Sequence, residues 1–486
     1  MATTRPVFAD LIDSAATAGG LAVADPATGE VLTAVRNGST NEALGAVDAA
    51  WAAAAEWRER PAQERAALLR TLAGLMLEKK EQLAQLLTAE QGKPLAEARG
   101  EIAYAASFID WAAEEAKRVY GETVPASHRD KRILVLKQPV GIAAIITPWN
   151  FPSAMIARKL GPALAAGCTV VIKPANQTPL SAYALGKLAL DAGIPPGVVN
   201  ILTGNSRAIG DAWLSDPRVR KLSFTGSTEV GRVLMSKASQ NLIRLSMELG
   251  GHAPFLVFDD ADVSAAVRGA IMSKYRNAGQ TCVCANRFYI QAGVYARFAA
   301  ELSAAVAQMK VGRGTDEGVS IGPLIDDSAV AKVEAHIEDA RAKGATVRQG
   351  GHRVKPGPGL TDRFFAPTIL EGFDHTMLIA REETFGPVSP LKVFHHEDEA
   401  IELANDSEFG LAAYFYTRDA SRLMRVAERL EYGIVGANDG APSTAQAPFG
   451  GVKHSGFGRE GGKYVMEEYL ETKYVSWGLE TPESRS

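Results

Sequence analysis

From residue 41 to residue 119, apolar positions recur at helical spacing. An alanine-rich run to Trp57 begins at Asn41, which predicts a helix capped by that asparagine, and residues 62–88 place Leu68, Leu69, Leu72, Leu75 and Met76 on one face. The whole stretch is expected to be helical. From Ile142 the pattern changes to short apolar runs separated by helical stretches, with strands expected at 142–147, 169–173, 198–202, 221–225 and 243–248. Strands alternating with helices in this way form a parallel sheet covered on both faces, so the fold class is α/β. A second set of elements starts with a strand at 255–258 and a helix at 263–275, placing a domain boundary near Gly250-Gly251. Two remote segments, 131–137 and 469–477, alternate as half-buried strands do and are expected to pair in a small extra sheet or arm.

A chain of 486 residues exceeds what one core serves, and roughly 150 residues per domain predicts two or three domains. The net charge of -4 and pI of about 6.1 carry no basic surplus, which argues against a nucleic-acid partner. Three cysteines, two of them in Cys282-Val283-Cys284, do not make a disulfide framework and indicate a reducing compartment. The thiols are then free for chemistry. The first residues hold Asp10 and Asp13 and lack the apolar stretch of a signal peptide, and no run of about 18 residues is apolar enough to cross a bilayer. A cytoplasmic protein with no membrane partner is expected.

Cys282 follows Asn277-Ala278-Gly279-Gln280-Thr281, where small residues let backbone and ligand approach the sulfur. Glu248, in Met247-Glu248-Leu249-Gly250-Gly251, offers a carboxylate base. A thiol with an ordinary pKa of about 8.5 is scarcely ionised at neutral pH and needs such a base or an electropositive site. The competing reading is a small buried hydrophobe, the usual fate of a free cysteine. Phe224-Thr225-Gly226-Ser227 ends a strand and opens a helix, so helix amides and the Ser227 hydroxyl can receive a pyrophosphate, with Gly226 allowing close approach. Lys173 ends another strand, at the sheet edge where open α/β sheets bind ligands. Two tempting signatures lack their context. Gly456-Phe457-Gly458-Arg459-Glu460-Gly461 fits a dinucleotide fingerprint, and Gly318-Val319-Ser320-Ile321-Gly322 fits a nucleophile elbow. Neither follows a strand that runs into a helix. His395-His396 and the other histidines show no metal-ligand spacing, so no metal site is expected.

Six motifs occur in order along the chain: Thr147-Pro148-Trp149-Asn150-Phe151-Pro152, Lys173-Pro174, Phe224-Thr225-Gly226-Ser227, Glu248-Leu249-Gly250-Gly251, Gly279-Gln280-Thr281-Cys282 and Glu382-Glu383-Thr384-Phe385-Gly386-Pro387. A seventh, Pro448-Phe449-Gly450-Gly451-Val452-Lys453 with Ser455-Gly456, follows them. Together they resemble the aldehyde dehydrogenase superfamily over nearly the whole chain. The resemblance implies a βαβ dinucleotide-binding domain (1–122 and 142–251), an α/β catalytic domain (252–466), and bridging segments (123–141 and 467–486) that assemble homodimers or homotetramers. It further implies that Cys282 attacks an aldehyde carbon and that the Asn150 amide and the Cys282 N–H hold the oxyanion. Glu248 would activate water against the thioester. Lys173 and Glu383 would hold the cofactor riboses, Gly226 and Ser227 the pyrophosphate, and Thr147, Trp149 and Phe385 would line the nicotinamide site.

Within the superfamily the sequence is most similar to succinate-semialdehyde dehydrogenases. There Arg158 and Arg276 match arginines that clamp a distal carboxylate, and Ser443 matches a third anion ligand. Ala441-Pro442 departs from that pattern, with His454 near it in sequence. A glutarate-type semialdehyde or a sulfonated aldehyde such as sulfolactaldehyde is the alternative substrate. Asn176 stands where NAD-restricted members carry a glutamate that repels a 2′-phosphate, so NADP is expected to be accepted, with NAD also usable. Cys284 matches the second thiol of a pair that resembles a redox switch. A thiol hydrolase or acyltransferase, the rival class, has no use for Lys173, Ser227 and Glu383 together.

Overall fold

The computed structural model describes residues 7–12 and 15–480. Asp13 and the ends of the segments 1–122 and 467–486 lie outside the described residues. The helical lead-in is broken into four pieces, Thr40–Glu59, Ala62–Glu78, Lys80–Gln91 and Leu95–Ala116, rather than running unbroken. The breaks have local causes. Pro61 and Pro94 stand just outside their helices at the N-cap, and Gly92 takes the left-handed conformation at φ 91°. The first of these helices is capped by Ser39, not by Asn41. The Ser39 hydroxyl accepts from the Glu42 N–H at 3.3 Å, while the Glu42 carboxylate accepts from the Ser39 N–H at 2.8 Å. This reciprocal box satisfies two end groups and outcompetes a single asparagine cap two positions later. A strand pair, Ala16–Ala24 with Val31–Val35, precedes the helices and was not anticipated.

A six-stranded sheet has the order Gly456–Phe457, Arg244–Glu248, Val219–Thr225, Ile142–Ile146, Thr169–Lys173, Val199–Ile201. Its five long-predicted strands are parallel, and the short Gly456–Phe457 strand adds antiparallel at the edge, opposite Glu248 and Met247. Helices bury both faces, which explains the near-continuous apolar reading of Ile142–Ile146 and Thr169–Lys173. A seven-stranded sheet of residues 253–437 forms the second body around a core of its own, rich in Phe255, Phe288 and Phe298. The remote alternating segments meet as strands Lys131–Pro139 and Leu470–Gly478, antiparallel from Leu470↔Pro139 to Gly478↔Lys131, with Glu122–Val124 beside them. Tyr474, Trp477, Leu136 and Val124 are exposed on this small sheet. Among the described residues, no helix is long and apolar enough to cross a membrane.

Candidate active site

The strand Ile142–Ile146 runs into a turn that carries Thr147, Trp149 and Asn150 and then into the helix Pro152–Ala166, with Pro152 in its first turn. Proline is favoured there because its missing N–H has no helical partner to lose. Asn150 is buried. Its side-chain amide donates to the Gln280 carbonyl at 3.0 Å, which ties the turn to the loop of Cys282.

That loop is bent sharply. Asn277 (φ 52°), Ala278 (φ 53°) and Gly279 (φ 77°) are left-handed in succession, an unfavourable run for non-glycine residues that surrounding bonds must hold. The Asn277 N–H donates to Glu97 at 2.7 Å, its side chain donates to the Asn150 carbonyl at 2.9 Å, and Gln280 accepts from the Ile325 N–H at 2.9 Å. At Gly279 a Cβ would stand 2.2 Å from the Gly386 carbonyl oxygen, and at Gly251 one would stand 2.2 Å from that of Cys282. Only glycine permits these approaches.

Cys282, Asn150, Trp149, Gly226, Ser227 and Glu383 line one cavity of about 450 Å³, with Phe385 in its wall. Trp149 and Phe385 meet edge to face at 5.5 Å, and Phe385 is itself left-handed at φ 55°. Ser227 caps the helix Thr228–Ala238 by accepting from the Val230 N–H at 3.3 Å, so the unpaired amides of that helix start open on the cavity. This is an arrangement suited to an anionic dinucleotide. Lys173 and Asn176 stand at the carboxyl end of the strand Thr169–Lys173, which neighbours Ile142–Ile146, and are bonded to each other, Lys173 Nζ donating to Asn176 at 2.9 Å and to the Pro174 carbonyl at 2.7 Å. Burial lowers the Lys173 pKa to about 8. Burial also raises Glu383 to about 7, against the Gly251 N–H that it accepts at 3.1 Å.

Cys282 and Glu248 are both enclosed, and burial disfavours the charged form of each. Burial pushes the Cys282 thiol up to about 12, with the Arg158 charge opposing. Glu248 ends the strand Arg244–Glu248, is almost wholly enclosed, and has no hydrogen-bond partner on either carboxylate oxygen among the described residues. Burial first, and the charge of Glu460 second, hold its pKa well above the ordinary range. Cys284 is buried and its thiol donates to the Lys274 carbonyl at 3.4 Å.

Arg276 and Ser443 line a second, small concavity with Val283, Ala441 and Phe449. Among the described residues Arg276 makes no ion pair, and its guanidinium lies 5.1 Å from the Phe151 ring centre. Ser443 is bonded to the Tyr104 hydroxyl. Arg158 does not line that concavity. It is enclosed, donates from Nε to Glu460 at 2.6 Å, and stacks 3.9 Å from the ring centre of Phe449, which does. His454 also stands elsewhere, at the surface beside Glu408 at 3.2 Å.

Residues that the sequence did not single out are Lys332 in the cavity wall and the pair Lys159 and Glu460 behind it. Glu460 sits inside the discounted Gly456–Gly461 segment and takes both Arg158 and Lys159 as partners. The signal was present: two adjacent cations in an otherwise buried helix demand a buried anion.

Comparison with known proteins agrees with this geometry. The sequence model of the aldehyde dehydrogenase family matches residues 12–475. The chain is 58% identical to the NADP(+) succinate-semialdehyde dehydrogenase of Escherichia coli (strain K12), covering 94% of each. It is 58% identical to a glutarate-semialdehyde dehydrogenase of Pseudomonas putida, covering 93% of each, and 56% identical to a 3-sulfolactaldehyde dehydrogenase of Pseudomonas putida, covering 94% of this chain and 93% of that one. A crystal structure of an E. coli NADP-dependent enzyme superposes with a TM-score of 0.93 at 57% identity, covering 94% of this chain and 95% of that one. With Cys282, Asn150, Gly226 and Ser227 gathered on one cavity and the family's sequence pattern spanning both bodies, the chain belongs to the aldehyde dehydrogenase family.

Proposed function

We propose that this protein oxidises an aldehyde bearing a distal anion, succinate semialdehyde to succinate, using NADP or NAD. The single cavity that joins Cys282 and Asn150 to Ser227 and Glu383 carries the reading. Cys282, its thiol proton released to solvent, adds through sulfur to the aldehyde carbon, and the Asn150 amide together with the Cys282 N–H receives the resulting oxyanion. Bound in the cradle of Gly226 and Ser227, the nicotinamide cofactor supplies the hydride acceptor. Trp149, Phe385 and Thr147 line its ring site, Lys173 and Glu383 hold its riboses, and Asn176 stands beside the 2′ position. The thioester left on Cys282 is then opened by water whose proton passes to Glu248 in its carboxylate form and on to the departing sulfur, freeing the acid and the thiol. Residues 1–122 and 142–251 bind cofactor, 252–466 supply the catalytic half, and 123–141 and 467–486 bridge subunits in a cytoplasmic homodimer or homotetramer. The exposed Tyr474 and Trp477 support the bridging role. Absorbance of the reduced cofactor on mixing with succinate semialdehyde tests the reading, since a thiol hydrolase or acyltransferase produces none.

The unpaired Arg276 points to an anionic substrate, with Ser443 beside it and Arg158 behind Phe449. Removing one partner from a desolvated charge pair costs roughly 2 to 5 kcal/mol. Arg276→Leu is therefore expected to lower kcat/KM for succinate semialdehyde by tens-fold or more while sparing butanal, a neutral aldehyde of equal length. An equal loss on both substrates would assign the arginine a structural role. Ala441 and Pro442 in the same concavity favour a second reading, in which a glutarate-type or sulfonated aldehyde is the better substrate. The same assay with those aldehydes decides between them.

Asn176 accepts a bond from Lys173 and donates to the Gly204 carbonyl at 3.0 Å, so a glutamate there gains an ion-pair partner in Lys173 and gives up the donation to Gly204. Asn176→Glu is expected to raise the KM for NADP at least about tenfold, by like-charge repulsion of the 2′-phosphate, and to leave that for NAD within a few-fold. An unaltered NADP-to-NAD ratio means that residue 176 lies away from the ribose.

A further inference from the structure

Lys93 is a charged side chain that is wholly enclosed. Its ammonium meets Glu101 at 2.6 Å, with the two side chains 0% and 1% exposed, and donates to the Asn150 main-chain carbonyl at 2.7 Å. The ring of Phe151 lies 3.7 Å from it. Burying such a pair is no bargain in stability, because apolar residues of similar volume commonly serve as well or better. Its position suggests another reason for it.

The Asn150 carbonyl accepts two donors, Lys93 Nζ and the Asn277 side-chain amide at 2.9 Å, which fixes the plane of the Asn150 peptide. The other oxygen of Glu101 accepts from the N–H groups of Ser153 (3.0 Å) and Ala154 (3.2 Å), filling the open start of the helix that follows Asn150. One turn along the same helix as Glu101, Glu97 takes the N–H of left-handed Asn277. Leu95 N–H donates to the Gly314 carbonyl at 2.8 Å, anchoring the Lys93 segment on the second body. The turn that aims Asn150 and the loop that carries Cys282 are thus held by one short stretch of the helical layer, and its buried cation, Lys93, is bonded to the Asn150 peptide, while Arg99 faces outward to Glu81.

We propose that Lys93, locked by Glu101, is a positioning residue for the oxyanion site: it fixes the Asn150 peptide so that the side-chain amide faces the carbon attacked by Cys282. This rests on the oxyanion role given to Asn150 above. No bond to Lys93 is made or broken, and its proton stays in place. Holding a donor in advance of the reaction is what gives such sites their rate advantage, and a small misplacement forfeits much of it.

The test is the pre-steady-state burst of NADP reduction by succinate semialdehyde, measured in Lys93→Met, Asn150→Ala, the combined variant, and Lys93→Met/Glu101→Met. The last removes both charges and guards against a fold lost to an orphaned carboxylate. Lys93→Met and the charge-free pair are expected to slow the burst at least about tenfold, with the Kd for NADP unchanged. Adding Lys93→Met to Asn150→Ala is expected to slow it no further, because both act through one amide. General damage to packing predicts multiplied losses instead. A wild-type burst in folded Lys93→Met/Glu101→Met, or multiplied losses in the cycle, overturns the assignment of Lys93. A wild-type burst in Asn150→Ala overturns the oxyanion reading beneath it.

Discussion

Cys282→Ala is expected to abolish formation of reduced cofactor while leaving cofactor binding intact. In the proposed route the hydride leaves from a carbon bonded to the Cys282 sulfur, and without that adduct the aldehyde carbon holds no oxyanion to expel it. Removing a covalent nucleophile lowers turnover on the order of 10⁴-fold or more in enzymes that work through one. Cys282 is the only one of the three cysteines with any exposure, and it lies at the cavity lined by Ser227 and Glu383 without bonding to either. Its loss should therefore leave the pyrophosphate cradle unchanged. Titration of NADP against the variant's tryptophan fluorescence, Trp149 being in the cavity wall, should give the wild-type Kd. Near-normal turnover in this variant would rule out the covalent route altogether.

Much of the site could be read from the sequence because its chemistry is written in local runs. Trp149, Asn150, Gly226, Ser227, Cys282, Glu383 and Phe385 each lie in a short motif at a strand end or tight turn, and the fold brings them to one cavity. The strands were readable for a related reason. A parallel strand buried on both faces is a continuous apolar run, as in Ile142–Ile146, and needs no partner to be seen. What stayed hidden depends on partners distant in the chain. Glu460 closes a charge cluster with Arg158 and Lys159 across some three hundred positions, and no spacing rule anticipates that. Lys93 and Glu101 look like ordinary members of an amphipathic helical layer until the Asn150 turn packs on them. The breaks at Pro61, Gly92 and Pro94 were legible in principle, as was the capping box of Ser39 and Glu42. The strong apolar period across 41–119 masked both.

Arg158 shows how the two levels combine. The sequence puts a cation where a substrate anion is expected, and the fold gives that cation a buried carboxylate partner in Glu460. Burial pushes Glu460 up, but Arg158 and Lys159 outweigh burial and hold it below the ordinary carboxylate range. The anion so maintained is the second cause of the raised pKa of Glu248. Arg158 therefore bears on two properties at once: the positive wall behind Phe449 and the resting protonation of the base.

Glu248→Gln should let hydride transfer proceed once and then stall. The amide keeps the size of the side chain and carries no charge, the condition that burial of this site favours, so the enclosed and unpartnered site should accept it without rearrangement. It cannot take a proton from water. Hydrolysis of the thioester is expected to fall by roughly 10² to 10⁴-fold, the usual range for a lost general base, with a burst of about one reduced cofactor per active site. Intact-mass spectrometry should then find the succinyl adduct on Cys282. The pH dependence has a definite sign. Because the folded pKa of Glu248 is raised, the protonated form is favoured, and its contribution to stability is complete below the unfolded value of about 4.3 and is lost as pH climbs through the folded value. The wild type should thus lose Tm relative to Glu248→Gln as the pH rises, while its deacylation rate increases over the same interval. A variant that turns over steadily with no acyl adduct would show that water is activated by some group other than Glu248.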